Sequence, residues 1–407
     1  MIEKVAERLV VSKAKDFLLK YTLLDGINSV PAPDNVSVLY VHIPFCRFLC
    51  PFCIFNRQLH DLKLEDLYFS FLKREAELYY DQGYRFNTLY IGGGTPTVNF
   101  EHLIDMIDFL KGLYPLKEIS VESTYRELNE NKINKLKDLG VNRLSIGIQT
   151  FDGELGKRIG RSWQNKEEAL EIINIANEKI PTLNVDLLFN FPFQTYQQFG
   201  TDIDTLLENR VKQMTAYPIM PSIYSQLFKN IDRKREKEFY NILIRKMKAA
   251  KYVPSTPWCF SKNKVEAIDE YTTKYDYYIG IGTSSISYAN GRFYINTFSI
   301  AKYVDLLKRN KIPAIIDKRV SEESAYFLLL NRLFALEVGK DIFLKRRNRS
   351  SCALRYIMLL LKLFNYVKDE KDKIVLNESG FYLMSCSMRA FLSVLDTLRE
   401  ELRKSQY

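Results

Sequence analysis

Tyr40-Val41-His42-Ile43-Pro44-Phe45-Cys46-Arg47-Phe48-Leu49-Cys50-Pro51-Phe52-Cys53 is the stretch on which the reading of this chain turns. A short apolar, β-branched run leads into a loop that carries three cysteines within eight residues. Three thiolates on one loop suit an iron–sulfur cluster, with one iron left open for a small molecule. Zinc competes for clustered cysteines but usually takes a second pair or a histidine; here His42 lies on the entering run and His60 seven residues beyond Cys53. Cys259, Cys352 and Cys386 stand alone and read as small hydrophobes. Met1-Ile2-Glu3-Lys4 opens no apolar export segment. The cluster therefore reads as a metal site rather than as disulfides, and the expected location is cytoplasmic.

Working outward, β-like runs recur at Val38–His42, Thr88–Ile91, Ile119–Glu122, Arg143–Ile148, Leu183–Phe189 and Gln213–Tyr217. Helical periodicity fills Glu65–Tyr80, Glu101–Leu113, Asn131–Leu139, Glu167–Glu178 and Tyr196–Glu208. Six such alternations predict an α/β protein whose parallel strands close into a full or partial barrel. Active groups of such barrels gather at the carboxyl ends of the strands, where the cysteine loop and Gly92-Gly93-Gly94-Thr95-Pro96 would meet. Glycines at a strand exit let backbone polar groups approach a ligand, or simply make a tight turn.

From Ser299 onward the chain reads as helices, at Ile300–Arg309, Glu322–Leu336, Cys352–Phe364 and Gly380–Glu401, with a small hairpin near Val367–Leu376. The expected organisation is an N-terminal helix and linker over 1–35, a barrel with an extension over 36–297, and a helical, winged-helix-like domain over 298–407. With 407 residues, 46% hydrophobic and 27% charged, the composition is globular and excludes disorder. The longest apolar run, Ala353–Phe364, is broken by Arg355 and Lys362 and predicts no membrane span. The net charge of +10 concentrates at Lys345–Arg349 and in the first twenty residues. There Val5, Leu9, Phe17 and Leu18 are expected to share a helix face beside Lys4, Arg8, Lys13, Lys15 and Lys20, an arrangement compatible with peripheral membrane contact or with docking on the body. No recognition helix rich in Arg, Asn and Gln is present, and no nucleic-acid partner is expected.

The cysteine stretch together with Gly92–Pro96 resembles the radical S-adenosylmethionine (SAM) superfamily, and within it the oxygen-independent coproporphyrinogen III oxidase branch. The resemblance continues through Asn142–Phe151, Gly160-Arg161, Asn184–Leu187, Pro192–Thr195, Gly280-Ile281-Gly282 and Tyr294-Ile295-Asn296. It implies a partial (βα)6 barrel and a 4Fe–4S cluster on Cys46, Cys50 and Cys53 whose open iron chelates SAM. Gly93, Gly94 and Thr95 would lie against the methionine amino group, Tyr40 near the sulfonium, and Phe52 beside the adenine. Glu122, Gln149, Arg161 and Asp186 would supply polar contacts to SAM. The implied reaction is reductive cleavage of SAM to a 5′-deoxyadenosyl radical, fed by a low-potential donor of flavodoxin or ferredoxin type; no catalytic side chain is singled out.

Departures bear on the branch. Phe55 stands where coproporphyrinogen oxidases carry a further cysteine, and Asp269–Tyr278 lacks the histidine and tryptophan typical of heme chaperones. Asn190-Phe191, Tyr217–Met220 and Ser255–Phe260 resemble class C radical SAM methyltransferases, which use a second SAM to methylate an sp2 carbon. Trp258, Phe260, Phe191, Phe193 and Tyr217 would wall an apolar pocket for a small aromatic or lipophilic substrate, menaquinone C8 being the favoured expectation. The alternatives are an anaerobic tetrapyrrole enzyme, coproporphyrinogen oxidase-like or heme-opening, and a non-catalytic heme chaperone.

Overall fold

The computed structural model describes residues 2–32, 38–221, 231–263, 277–289, 291–319, 324–340 and 349–405. The linker residues Pro33–Asn35, the Asp269–Asp276 stretch and the basic Lys345–Asn348 lie outside the described residues.

Six strands, β1 (Val38–Ile43), β2 (Thr88–Gly93), β3 (Glu118–Ser123), β4 (Arg143–Gln149), β5 (Thr182–Phe189) and β6 (Gln213–Pro218), pair in parallel in sequence order. Crossovers run through α2 (Leu62–Asp81), α3 (Phe100–Leu113), α4 (Glu130–Asp138), α5 (Gly153–Arg158) with α6 (Lys166–Lys179), and α7 (Tyr196–Glu208). The strands expected from sequence fall on these six. Each helix starts where a short polar side chain caps it: Asp61, Asn99, Asn129, Asp152, Asn165 and, in a reciprocal capping box with Gln198, Thr195.

The sheet does not close. After α8 (Arg233–Ala249), β7 (Val253–Pro254) and β8 (Cys259–Ser261) extend it antiparallel beyond β6. On the far side β9 (Tyr278–Ile281) adds a seventh parallel strand against β1, followed by antiparallel β10 (Ile286–Ala289), β11 (Arg292–Asn296) and β12 (Ala314–Arg319). The order β12-β11-β10-β9-β1-β2-β3-β4-β5-β6-β8-β7 is thus a partial barrel of twelve strands with β1 near its middle. β1 is apolar because both its faces are covered; Val38, Leu39 and Val41 are fully buried.

Beyond α9 (Ile300–Lys308), helices α10 (Ser324–Phe334), α11 (Arg349–Leu363) and α12 (Glu378–Ser405) surround a small antiparallel sheet of β13 (Glu337–Gly339), β14 (Val367–Asp369) and β15 (Lys373–Leu376). This is the helical, winged-helix-like layout expected at the C-terminus. α12 lies against α1 (Ile2–Leu18) and reaches back over the barrel mouth. Among the described residues no helix is long and apolar enough to cross a membrane.

The four residues expected to share one face of α1 are divided. Phe17 and Leu18 are buried, Phe17 against Phe293 and Phe327, whereas Val5 and Leu9 point outward. The helix is set by a buried ion network that its sequence hides: Glu7 accepts from Arg233 of α8 and Arg389 of α12, both at 2.6 Å, and Arg389 also meets Glu236 at 3.2 Å.

Candidate active site

The cysteine loop leaves the carboxyl end of β1 and is closed by a short parallel pair, Phe45–Cys46 with Gln58–Leu59. It is pinned from four directions. Arg47 makes a two-pronged contact with the buried Glu127 after β3, at 2.7 and 2.9 Å. Pro51 fills the space over Gly160, whose φ of +82° and 2.5 Å clearance would admit no side chain. Phe52 packs edge-on to Phe191 with Leu155, Ile159 and Ile219. From α12, Arg399 donates to Ile54 O at 3.1 Å and Arg403 to Asn56 Oδ1 at 2.7 Å.

The glycine triplet abuts this loop more closely than a turn requires. β2 runs through Gly93 rather than ending before the glycines. Gly94 N–H donates to Ile43 O at 2.7 Å and Thr95 N–H to Phe45 O at 2.8 Å. A Cβ on Gly94 would lie 2.6 Å from Phe45 O and 3.0 Å from Cys46 Sγ, so the triplet is a cradle cut to backbone dimensions. Thr95 Oγ1 reaches Cys46 Sγ at 3.6 Å.

Inside the mouth, polar side chains are held in fixed orientations. His42 Nε2 faces Asn56 O at 2.9 Å; since a carbonyl only accepts, Nε2 carries the proton and Nδ1 accepts from Tyr40 O–H at 2.9 Å. Burial lowers His42 to about 4, so the ring is neutral. Glu122 accepts from Tyr90 O–H at 2.8 Å and from Gly93 N–H at 3.1 Å, which directs that N–H to the carboxylate rather than outward. Asp186 accepts from Ser145 at 2.9 Å and Asn184 at 2.8 Å.

Four side chains at this mouth, Arg57, Gln149, Arg161 and Trp163, each keep a buried polar atom without a partner, and two of them stand among the residues expected to contact SAM. Gln149 sits at φ +65°, a conformation a non-glycine residue adopts only under constraint, and its buried Oε1 has no partner. Arg161 is 6% exposed; its Nη1 donates to Gly147 O at 2.8 Å, yet its buried Nε has no partner. Gln149 and Arg161 thus offer a free acceptor and a free donor at the mouth.

Burial pushes the Cys46 thiol up to about 12 and raises Cys53 as well, the loss of water outweighing the nearby Arg57, which favours both thiolates, and Arg161, which favours that of Cys53. Among the described residues no three His, Cys, Asp or Glu side chains converge tightly enough to hold a single metal ion. A tetrahedral zinc would draw its sulfurs to roughly 3.8 Å from one another, given Zn–S bonds of about 2.3 Å. The mouth offers three thiols from one loop, and both nitrogens of His42 are engaged, so the donor set suits a cluster with one open iron better than a four-ligand zinc site.

All twelve residues singled out from sequence (Tyr40, Cys46, Cys50, Phe52, Cys53, Gly93, Gly94, Thr95, Glu122, Gln149, Arg161 and Asp186) line one cavity of about 420 Å³. Its further wall is apolar and contains Tyr217 and Trp258, which meet edge to face at 5.4 Å; Trp258 Nε1 donates to Ser385 at 2.7 Å. The other three expected pocket aromatics lie elsewhere. Phe191 and Phe193 pack beneath Phe52, and Phe260 is in the main core. Cys259 is fully buried and does not line the cavity.

His60 and His102 are half-buried rather than free on the surface. They pair with Glu65 at 2.6 Å and Asp66 at 2.7 Å, away from the cavity. Sequence reasoning missed the lid: Met388, Phe391, Leu392, Leu395 and Arg399 of α12 close the chamber. Their helical spacing was legible, but nothing local says which body the stripe faces.

This fold, with a three-cysteine loop over the open barrel mouth, defines a class. Residues 40–206 match the Radical SAM superfamily, a family that implies a 4Fe–4S cluster and SAM. Within the superfamily, the likeness runs to the coproporphyrinogen oxidase-like branch. The heme chaperone HemW of Bacillus subtilis (strain 168) is 28% identical over 368 residues, covering 84% of this chain and 94% of the relative. The oxygen-independent coproporphyrinogen III oxidase of Escherichia coli (strain K12) is 32% identical over 208 residues, which span 47% of this chain and 44% of that enzyme. The coproporphyrinogen III oxidase structure from Escherichia coli superposes with a TM-score of 0.74 at 20% identity, covering 88% of this chain and 90% of the other, and so shares the fold. Methyl transfer and menaquinone, expected from the sequence, find no support in these likenesses.

Proposed function

We propose that this chain is a heme-binding radical SAM protein that cleaves SAM beside a tetrapyrrole held in the chamber. The observation that carries the reading is the chamber itself: one cavity joins the cysteine loop and the unsatisfied Gln149 and Arg161 to a wall of Tyr217, Trp258, Phe391 and Leu395. Cys46, Cys50 and Cys53 would hold a 4Fe–4S cluster. When bound, cluster and SAM supply one-electron reductive cleavage and hydrogen-atom abstraction.

The chain's own groups do the positioning. Arg161, steadied by Gly147 O, aims its free Nε at a carboxylate, the charge-assisted pairing for which a guanidinium is suited. Gln149 Oε1 accepts from an ammonium or hydroxyl. The N–H groups of Gly93, Gly94 and Thr95 are spent on protein acceptors, so carbonyl oxygen is what the cradle offers an amino group. Glu122 and Asp186, each already oriented, suit ribose hydroxyls. The lid of α12 keeps water from the reacting carbon.

Relatives of heme and coproporphyrinogen function support a tetrapyrrole over a quinone. Phe55, standing where the oxidases carry a cysteine, favours heme over coproporphyrinogen III. His42 is the histidine lining the chamber, and both its nitrogens are engaged, which leaves Met220 and Met388 of the lining as the candidates to contact a heme iron.

The test is anaerobic reconstitution, then SAM and a low-potential reductant, with 5′-deoxyadenosine and S-adenosylhomocysteine quantified in the presence of heme, coproporphyrinogen III or menaquinone. Deoxyadenosine rising with heme, without the homocysteine product, is the expected result. Both products rising together with menaquinone would replace this reading by two-SAM methyl transfer. Heme binding with no cleavage under any condition would leave a carrier.

A further inference from the structure

The outer face of α11 has no place in the reaction and is built unlike a solvent face. Leu354 and Met358 point into the core, while on the opposite side Leu363 is 70%, Tyr356 61%, Leu359 52% and the following Phe364 51% exposed. Positions 356, 359 and 363 form one helical stripe where a surface helix ordinarily places charge. Beside it an apolar cleft of about 120 Å³ opens between α1 and α11, with Leu9 and Val10 on one lip and Ile357 and Leu361 on the other. Next to Leu9, Val5 is 63% exposed. Two helices remote in sequence thus present adjoining apolar surface, too concentrated to be scattered exposed leucines.

The charge carried by α11 has one sign: its sequence, 349–363, holds Arg349, Arg355 and Lys362 and no Asp or Glu. Lys362 pairs with Asp369 at 2.6 Å at the end of the stripe, and Lys4, Arg8 and Lys15 are exposed on the far side of α1. A second copy of this chain would bring like charges together across a two-fold axis, whereas apolar side chains fringed by cations match the headgroup and acyl boundary of an anionic bilayer. We propose that the α1–α11 face docks on an anionic lipid surface. It lies one layer of side chains from the chamber, because Phe327 and Phe391 line both the cleft and the active cavity.

The experiment is flotation of the full-length chain with vesicles of phosphatidylcholine alone or containing phosphatidylglycerol, in low and high salt, beside the double variant Leu359→Gln/Leu363→Gln. Both leucines are outward-facing, and the variant is expected to keep the parent's melting temperature. The wild type should float with the anionic vesicles, less so in high salt, and the double variant should lose about tenfold in partition, the order expected for removing two large apolar contacts. A wild type that stays in the soluble fraction with both vesicles, or a double variant that floats equally, overturns the proposal. So does a wild type that is dimeric without lipid and monomeric in the variant, which would assign the face to a second copy. None of these readouts depends on which substrate the chamber takes.

Discussion

Gly94→Ala probes the join between the glycine cradle and the cysteine loop with a single methyl group. The added carbon would lie 2.6 Å from Phe45 O, 2.9 Å from the Pro44 carbonyl carbon and 3.0 Å from Cys46 Sγ. Two of these neighbours are backbone, and the third is the sulfur of the first cysteine, so no flexible side-chain end is available to move. Relief requires the loop to back away, stretching the 2.7 Å bond from Gly94 N–H to Ile43 O and the 2.8 Å bond from Thr95 N–H to Phe45 O. Overpacking costs about 1–3 kcal/mol and a weakened hydrogen bond about 1 more, so we expect a loss of roughly 2–4 kcal/mol. At about 2.1 cal/mol/K of unfolding entropy per residue, that is a fall in Tm of roughly 2–5 °C for a chain of this length. Iron and sulfide content after anaerobic reconstitution should fall further than stability does, because Cys46 itself is displaced. Gly112→Ala is the matched control: its Cβ would meet nothing within 4 Å on α3, and helix propensity predicts a gain of about 0.5–1 kcal/mol. If Gly94→Ala reconstitutes as fully as Gly112→Ala and melts within 1 °C of wild type (about the resolution of the assay), the cradle argument is wrong.

Three further outcomes follow from the same geometry. Arg47→Ala removes both prongs from Glu127, leaving a buried carboxylate short of its partner; a loss of about 1–3 kcal/mol in chemical denaturation is expected, with faster loss of iron to a chelator. Glu75 is fully buried and accepts from Gly282 N–H, Asn296 and Tyr303, and burial raises it to about 7. Because its folded value lies above the ordinary carboxyl value, its contribution is complete below about pH 4.5 and is lost as pH rises through 7, an effect of roughly 3 kcal/mol. Melting curves of Glu75→Gln from pH 5 to 8 should therefore fall less steeply than wild type, and parallel curves would refute the assignment. Arg161→Lys keeps the charge but loses the guanidinium fork; titration of the reconstituted protein should show SAM affinity reduced about tenfold with Tm little changed.

The barrel was legible because its signals are local. Alternating apolar runs and amphipathic helices appear wherever strands are buried on both faces, and caps such as Asn99, Asn129 and Thr195 announce helix starts in sequence. The site residues were equally legible as motifs, since three cysteines and three glycines carry their chemistry in close spacing. That they share one cavity follows from parallel topology, which brings every strand's carboxyl end to the same rim. The seventh parallel strand, Tyr278–Ile281, was invisible as such, because pairing with β1 is a contact across more than 230 residues.

What only the tertiary structure decided is which surfaces meet. Trp258 and Phe260 both belong to the main core, yet only Trp258 also borders the chamber, a difference that neither residue's type encodes. The outward turn of Val5 and Leu9 is imposed by Glu7, whose carboxylate is drawn inward by Arg233 and Arg389 from helices hundreds of residues away. The same long-range placement makes α12 a lid and α11 an exposed apolar stripe. Periodicity determines that a helix has faces; only packing, which depends on distant partners, determines what each face sees.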